Sequence, residues 1–444
     1  MTRLVPLIAA LALLATAPTR AEQPITVEAY TAALAALAEP IAGLEELDDL
    51  IARAAEARVV LLGESSHGTE QYYTWRAEIT RRLVIEHGFN IVAIEGNWAS
   101  AQLLNDHIQH EPASTDTLAD ALATGFAQRW PYWMWANELT LNLARDLRAH
   151  NADAPGDRRV GFYGLDVHHV DAVIDHLLTK LQAIDADLAA RAREHYACLA
   201  RFDDPTAYAR HLAQGGEACS VGVEAVLELL AGHADVMPDD RTRFKVTEAA
   251  RVVLAAEAHL RAMVQGQAEP WNRRVRHWDA QLARLMKRRG EDARAIVWAH
   301  NTHIGDARAT AMAEAGMVNI GQLARRRYGP EQVYAIGFAT YRGDVTAARA
   351  WGRGHHHTLV PRATPTSLEG MLNRLDEPKL LLRFDGRDIP PVLEHHVLHR
   401  AKGVVYDPLN ERGNYVPTIV PQRYDALIFF HRTDALQPWS AEDR

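Results

Sequence analysis

Residues 58–98, RVVLLGESSHGTEQYYTWRAEITRRLVIEHGFNIVAIEGNW, decide the architecture. Positions 58–64 are a continuous apolar run, rich in Val and Leu and bounded by a turn signal. Such runs suit strands buried on both faces. The pattern over 69–87 predicts a helix, and 89–97 repeats the strand pattern. Strand, helix and strand at this spacing form a βαβ unit, so a parallel pair of strands is expected. Between the first strand and the helix, Glu64 and His67 stand in a short Ser/Gly loop. An acid and an imidazole there call for a chemical explanation, because a hydrophobic residue would pack better.

The same reading extends along the chain. Helical stretches precede the unit at 27–38 and 44–57, and another is expected over 132–151. Residues 158–168 read as a third strand, and 169–290 have helical character with no clear linker. The segment 293–308 returns to strand followed by loop, and further strands are expected at 332–340, 379–384, 402–406 and 426–430. The expected fold is α/β: a mainly parallel central sheet with flanking helices and an embedded helical portion at about 169–290. Residues 22–444 are read as one catalytic domain.

The 444-residue chain carries a formal net charge of −9, which argues against non-specific nucleic-acid binding. Residues 1–21 run from a basic start through an apolar stretch to small residues, the order of a secretory signal cleaved after Ala21. No later segment is long and apolar enough to span a bilayer. A periplasmic or secreted protein is expected. Its two cysteines, Cys198 and Cys219, either pair to close a loop of about twenty residues or remain separate buried thiols.

Ligands of open α/β sheets bind beyond the carboxyl ends of the strands. The first strand delivers Glu64 and His67 there, the second Glu95, the third Asp166, and the segment near 300 delivers His300 and His303. His67 lies where a helix begins, and the helix dipole opposes imidazolium formation. A carboxylate such as Glu64 raises the imidazole pKa, so the net sign stays open. A neutral His67 with its tautomer held by Glu64 is suited to general-base work. Arg76, between Trp75 and Ile79 on the following helix, either pairs with a strand-end acid or makes a surface salt bridge. The same set of His67, His300, His303, Glu64 and Glu95 also suits a metal-dependent hydrolase acting on another exported ester or glycan-linked substrate. A nucleophilic Ser65 or Ser66 lacks the G-x-S-x-G elbow. A non-enzymatic binding protein is a further reading. The rings of RWPYWMW (129–135) are expected in the core or lining an apolar pocket, and the His run at 355–357 in an exposed loop.

Six blocks carry a family resemblance: 61–98, WMWANELTLNLARDLRAHN (133–151), VGFYGLDVHHVDAV (160–173), WNRRVRHWDAQL (271–282), VWAHNTHIGDAR (297–308) and RRRYGPEQVYAIGF (325–338). Together they resemble the erythromycin esterase family, from about residue 45 to the C-terminus. The resemblance implies a cofactor-free, metal-independent hydrolase that opens a macrolide lactone by activated water, without a covalent intermediate. It also implies a deep cleft over an α/β core. It places the active site on Glu64, His67, Arg76, Glu95, His300 and His303, with His67 as base. The other histidines and Arg76 would then position the ester or stabilise its oxyanion. Asn272, Arg276 and Asp166 are expected to bind a small-molecule ester. Val275 stands where the family block has aspartate, and residues 413–415 read GNY in place of SHY. Export also departs from the family's usual cytoplasmic action. Because the family includes proteins linked to exopolysaccharide synthesis, ester chemistry transfers better than the antibiotic substrate.

Overall fold

A computed structural model describes residues 26–439 apart from 157, 203 and 267. The expected signal segment lies outside the described residues. The first half runs α1 (Val27–Leu37), β1 (Ala38–Pro40), α2 (Asp48–Ala54), β2 (Val59–Leu62), α3 (Glu70–His87), β3 (Ile91–Asn97), α4 (Trp98–Ile108), α5 (Leu118–Leu122), α6 (Glu138–Asp153) and β4 (Gly161–Asp166). A run of helices follows: α7 (Val170–Ile184), α8 (Ala186–Ala200), α9 (Pro205–Ala213), α10 (Ser220–Gly232), α11 (Asp240–Ala262) and α12 (Ala268–Arg289). The chain then returns to the sheet with β5 (Ala295–Trp298), α13 (Asn301–Ile304), α14 (Ile320–Tyr328), β6 (Val333–Ala348) and β7 (His355–Val360). The last strands are β8 (Lys379–Arg383), β9 (Val397–Arg400), β10 (Tyr415–Thr418) and β11 (Ala426–Thr433).

Nine strands form one sheet in the order β1-β8-β11-β6-β2-β5-β3-β4, with β7 paired to β6. From β11 to β4 every neighbour along that order is parallel, while β1, β7 and β8 pair antiparallel. β9 and β10 make a separate hairpin-like pair. The sheet is therefore mixed and mostly parallel. β2 and β3 run parallel, but they are not the expected pair, because β5 is inserted between them and pairs with both.

The continuous apolar runs are explained by burial on both faces. Val59 and Leu61 of β2 join one core layer, and Val60 and Leu62 join the other. β5 divides in the same way, with Ala295 and Val297 on one side and Ile296 and Trp298 on the other. Residues from the long helical run, such as Leu177, Val253 and Leu282, fill the first layer. Helices α3, α4 and α6 supply the second, with Ile79, Leu104 and Leu143 among its members. Period two in the strands thus builds two cores on one sheet.

Helix α3 ends at Gly88, whose positive φ of 71° and backbone N–H bonds to Leu83 and Val84 carbonyls close the last turn. Its buried face carries Tyr72, Arg76, Ile79, Thr80 and Leu83, at helical spacing. Arg76 is on that face and makes no surface salt bridge. Cys198 of α8 and Cys219, just before α10, form a disulfide across 21 residues.

Several local expectations change. The segment 402–406 is not a strand. It makes only isolated bridges, Lys402 with Ser66 and Val405 with Ala348, because it crosses over the carboxyl end of the sheet. The His run at 355–357 opens edge strand β7 and is not a loop; His356 and His357 are exposed. The helix expected over 132–151 starts at Glu138, where Asn137 caps it by accepting from the Thr140 N–H, after a separate short turn at Tyr132–Met134. β6 runs eight residues past the expected 340, since its second half pairs with β7.

Candidate active site

β2, β5, β3 and β4 are consecutive in the sheet, so their carboxyl ends share one border. Register aligns Leu62 and Ile94 with Trp298, and Asn97 with Asp166. The residues that follow therefore converge on a cavity of about 520 Å³. His67, Glu95, Asp166, His300 and His303 all line it, and all are buried. Trp351 and Gly352, by contrast, are exposed lining residues that form its rim.

The loop after β2 has no room for larger residues. A Cβ on Gly63 would stand 2.1 Å from the Asn301 side-chain oxygen, and one on Gly68 would stand 1.9 Å from the Thr346 carbonyl. The Gly68 carbonyl accepts from the backbone N–H groups of Thr346 and Leu436. Pinned in this way, His67 points Nδ1 at Glu64 Oε1, 2.8 Å away, while Glu64 Oε2 accepts from Arg76 Nη2 at 2.8 Å. With its proton on Nδ1, a neutral His67 carries its lone pair on Nε2. Arg76 is fully buried, lies over the rings of Tyr73 and Trp298, and donates from Nε to the Tyr72 carbonyl. It lies behind Glu64 and does not line the cavity. Burial pushes the His67 pKa down, but the hydrogen bond and charge of Glu64, with the charge of Glu95, outweigh it. The net direction is up, which settles the sign left open by sequence.

Across from His67, the His300 ring lies 4.9 Å away between centroids. Its Nδ1 faces the Thr302 hydroxyl at 2.8 Å and accepts from the Thr302 backbone N–H. That assignment leaves the ring proton on Nε2, a buried atom with no protein partner. Burial and the neighbouring His67 hold the His300 pKa well below the usual imidazole value, so the ring is neutral. Glu95 Oε2 fixes the loop by accepting from the His300 backbone N–H at 2.9 Å.

The centre of the remaining wall is Arg274, which the sequence reading passed over. Its Nε and Nη2 donate to both oxygens of Asp166, Nη2 also reaches Glu95 Oε1 at 2.8 Å, and Nη1 reaches His303 Nε2 at 3.1 Å. The His303 ring stacks on Trp271, with centroids 4.2 Å apart, and touches Trp278. Burial opposes the charged forms of Glu95 and Asp166, but it is outweighed by His303 and Arg274 at Glu95 and by Arg274 at Asp166. Both carboxyls titrate well below their ordinary values.

Of the expected substrate contacts, Asp166 lines the cavity but Arg276 does not, since it is exposed on the far side of α12. Asn272 points away as well, holding the Gly316 carbonyl and the Val318 N–H. Helical spacing offered a signal for the inward face: Trp271, Arg274 and Trp278 recur every three to four residues. The serine hydroxyls are engaged elsewhere, Ser65 with Tyr72 and Ser66 with Thr69. Among the described residues no group of three or more His, Cys, Asp or Glu is arranged to hold a metal ion. Of the two carboxylates in the metal-dependent reading, Glu95 already accepts from Arg274 and Glu64 from Arg76.

A buried imidazole held by a carboxylate and faced by a second imidazole, at the carboxyl border of a parallel sheet, is an arrangement that can exchange a proton with a molecule in the cavity. The sequence model of the erythromycin esterase family matches residues 84–433, and the chain belongs to that family, which implies an esterase-like hydrolase. The match starts later than the resemblance suggested, so Glu64, His67 and Arg76 lie upstream of it. Solved structures share the fold. A Bacillus cereus protein aligns at a TM-score of 0.76 and 18% identity over 94% of this chain and 100% of its own. A succinoglycan biosynthesis protein aligns at 0.73 and 17% over 93% and 99%. A mutant of the erythromycin esterase EreC, in its open conformation, aligns at 0.63 and 17% over 89% and 95%.

Proposed function

We propose that this protein is an exported carboxylic ester hydrolase that opens a macrolide lactone by His67-activated water, with no covalent intermediate. The observation that carries the reading is the pairing of His67, backed by Glu64 and Arg76, with the unpartnered Nε2 of His300 on the same cavity floor. A water at His67 Nε2 gives up its proton to the imidazole as its oxygen attacks the ester carbonyl carbon. The carbonyl oxygen, becoming an oxyanion, takes a hydrogen bond from His300 Nε2–H. Collapse breaks the carbonyl–alkoxy bond, and the departing alkoxide receives the proton from His67. The products are an acid and an alcohol, joined in one chain when the substrate is a lactone. Glu64 stabilises the transient imidazolium, and Arg76 holds Glu64 in place. Glu95 and Arg274 position the His300 and His303 side of the cavity.

Export is supported by the signal-like order of residues 1–21 and by the disulfide, which persists in oxidising compartments. The test is mass spectrometry of macrolides incubated with wild type and with His67→Ala in ¹⁸O water. Gain of one labelled water, with wild type only, is the expected result. No mass change with any macrolide would overturn the substrate, and a trapped acyl-enzyme would overturn the mechanism. Fractionation of cells expressing the full chain tests export: recovery with the cytoplasm would overturn it.

A further inference from the structure

Trp351 does not pack as an indole ordinarily does. It is 68% exposed, although it lines the same cavity as His67 and His300. It sits at the tip of the β6–β7 hairpin, where Ala348 pairs with His355. Its ring centroid lies 4.3 Å from that of Trp130 and 6.2 Å from that of His168, and both of those residues line the cavity too. The tip is tied to the opposite wall by two hydrogen bonds. Trp130 Nε1 donates to the Arg353 carbonyl at 2.8 Å, and the Tyr132 hydroxyl meets His355 Nδ1 at 2.7 Å. The Trp130 carbonyl is held in turn by His169 Nε2 at 2.7 Å. The exposed indole is thus a fixed part of the rim.

An aromatic side chain can bury roughly 150–250 Å², so leaving one in water at a cleft mouth forgoes a large hydrophobic gain that a ligand can recover. Further in, Phe126, Met134 and Trp135 continue the apolar wall, and a volume of about 520 Å³ suits a drug-sized molecule more than a short acyl ester. We propose that Trp351, backed by Trp130, is a specificity-determining residue whose indole face takes the ring-shaped, CH-rich body of a large ester while the scissile carbonyl lies at the buried floor. This inference rests on the hydrolase reading for the reaction, but the subsite itself is a binding claim.

The test compares Trp351→Ala and Trp351→Phe with wild type on erythromycin and on p-nitrophenyl acetate. Binding of erythromycin is read by calorimetry in the His67→Ala background, where turnover is slowed enough for binding to be followed. Trp351→Ala should weaken that binding and raise the erythromycin KM by about tenfold, the scale of one lost aromatic contact, with kcat little changed. Trp351→Phe should restore most of it, and kcat/KM for p-nitrophenyl acetate should stay at the wild-type value. Unchanged erythromycin binding in Trp351→Ala, no binding with Trp351 present, or equal losses on both esters would each overturn the subsite. Trp351-dependent binding without hydrolysis would sink the hydrolase reading and leave the subsite standing.

Discussion

His67 has neighbours that act on its proton in opposite directions. Burial lowers its pKa and Arg76 adds to that, whereas Glu64 and Glu95 raise it, and the raising influences win. The base form of a group with a raised pKa is present only above that pKa. The acid limb of kcat/KM is therefore expected above pH 6.5, with activity rising as pH increases through it. Glu64→Gln removes the strongest raising influence and should move that limb to lower pH while slowing the reaction. A pH profile unaltered by Glu64→Gln would count against the dyad. His67→Ala should cost about 10²–10⁴ in rate, the usual worth of a positioned general base. Arg274 sets a different expectation, for stability. The depressed pKa values of Glu95 and Asp166 mean that each contributes stability above its ordinary value of 4.5 or 3.8, and that this is lost as pH falls. Arg274→Ala strands both carboxylates, and should destabilise the protein by about 3–5 kcal/mol near pH 7. The loss should shrink near pH 4, where the stranded acids protonate, and denaturant melts at the two pH values decide it. The strand-end acids and histidines were legible in sequence because strand runs are easy to find. Arg274 was not, because 271–282 holds several arginines and only the orientation of α12 distinguishes Arg274 from exposed Arg276.

Elements act here as rulers. The loop from Gly63 to Thr69 must pass close to β6, and Gly68 permits it because the Thr346 carbonyl occupies the place of a side chain. Gly68→Ala should therefore force the loop outward at a cost of about 1–3 kcal/mol, the scale of overpacking, and should cut ester turnover more than it cuts stability. Circular dichroism melts and turnover of the same variant check this; wild-type turnover would show that the loop does not set His67. Helix α12 gives the cavity Trp271 and Arg274, packs Trp278 in the core against His303, and turns Arg276 to solvent. The error at 402–406 has a similar origin. Its apolar, β-branched character reads as strand, but Gly403 and a crossing course let it touch Ser66 and Ala348 at single points. The hairpin of β6 and β7 was invisible for another reason: the His run has no alternation that marks an edge strand.

At the scale of the whole molecule, one sheet divides two cores, and the helical run from α7 to α12 covers one face of it. The Cys198–Cys219 bridge ties α8 to the start of α10 within that run. Closing a loop of this length is worth roughly 3 kcal/mol, so Cys198→Ser should lower the calorimetric melting temperature, and a reductant should do the same to wild type. An unchanged melting temperature in both would mean that the loop is already ordered without the bridge. Among the described residues no helix is long and apolar enough to cross a membrane. Sequence by itself determined the α/β class, the parallel βαβ core and the strand ends that carry Glu64, His67, Glu95, Asp166, His300 and His303, because apolar runs and their terminators are local properties of the chain. Only the tertiary structure decided the sign of the His67 shift, the burial of Arg76, the centrality of Arg274 and the aromatic rim at Trp351. Each of these depends on which distant residues become neighbours, and charge, desolvation and contact act through space and not along the chain.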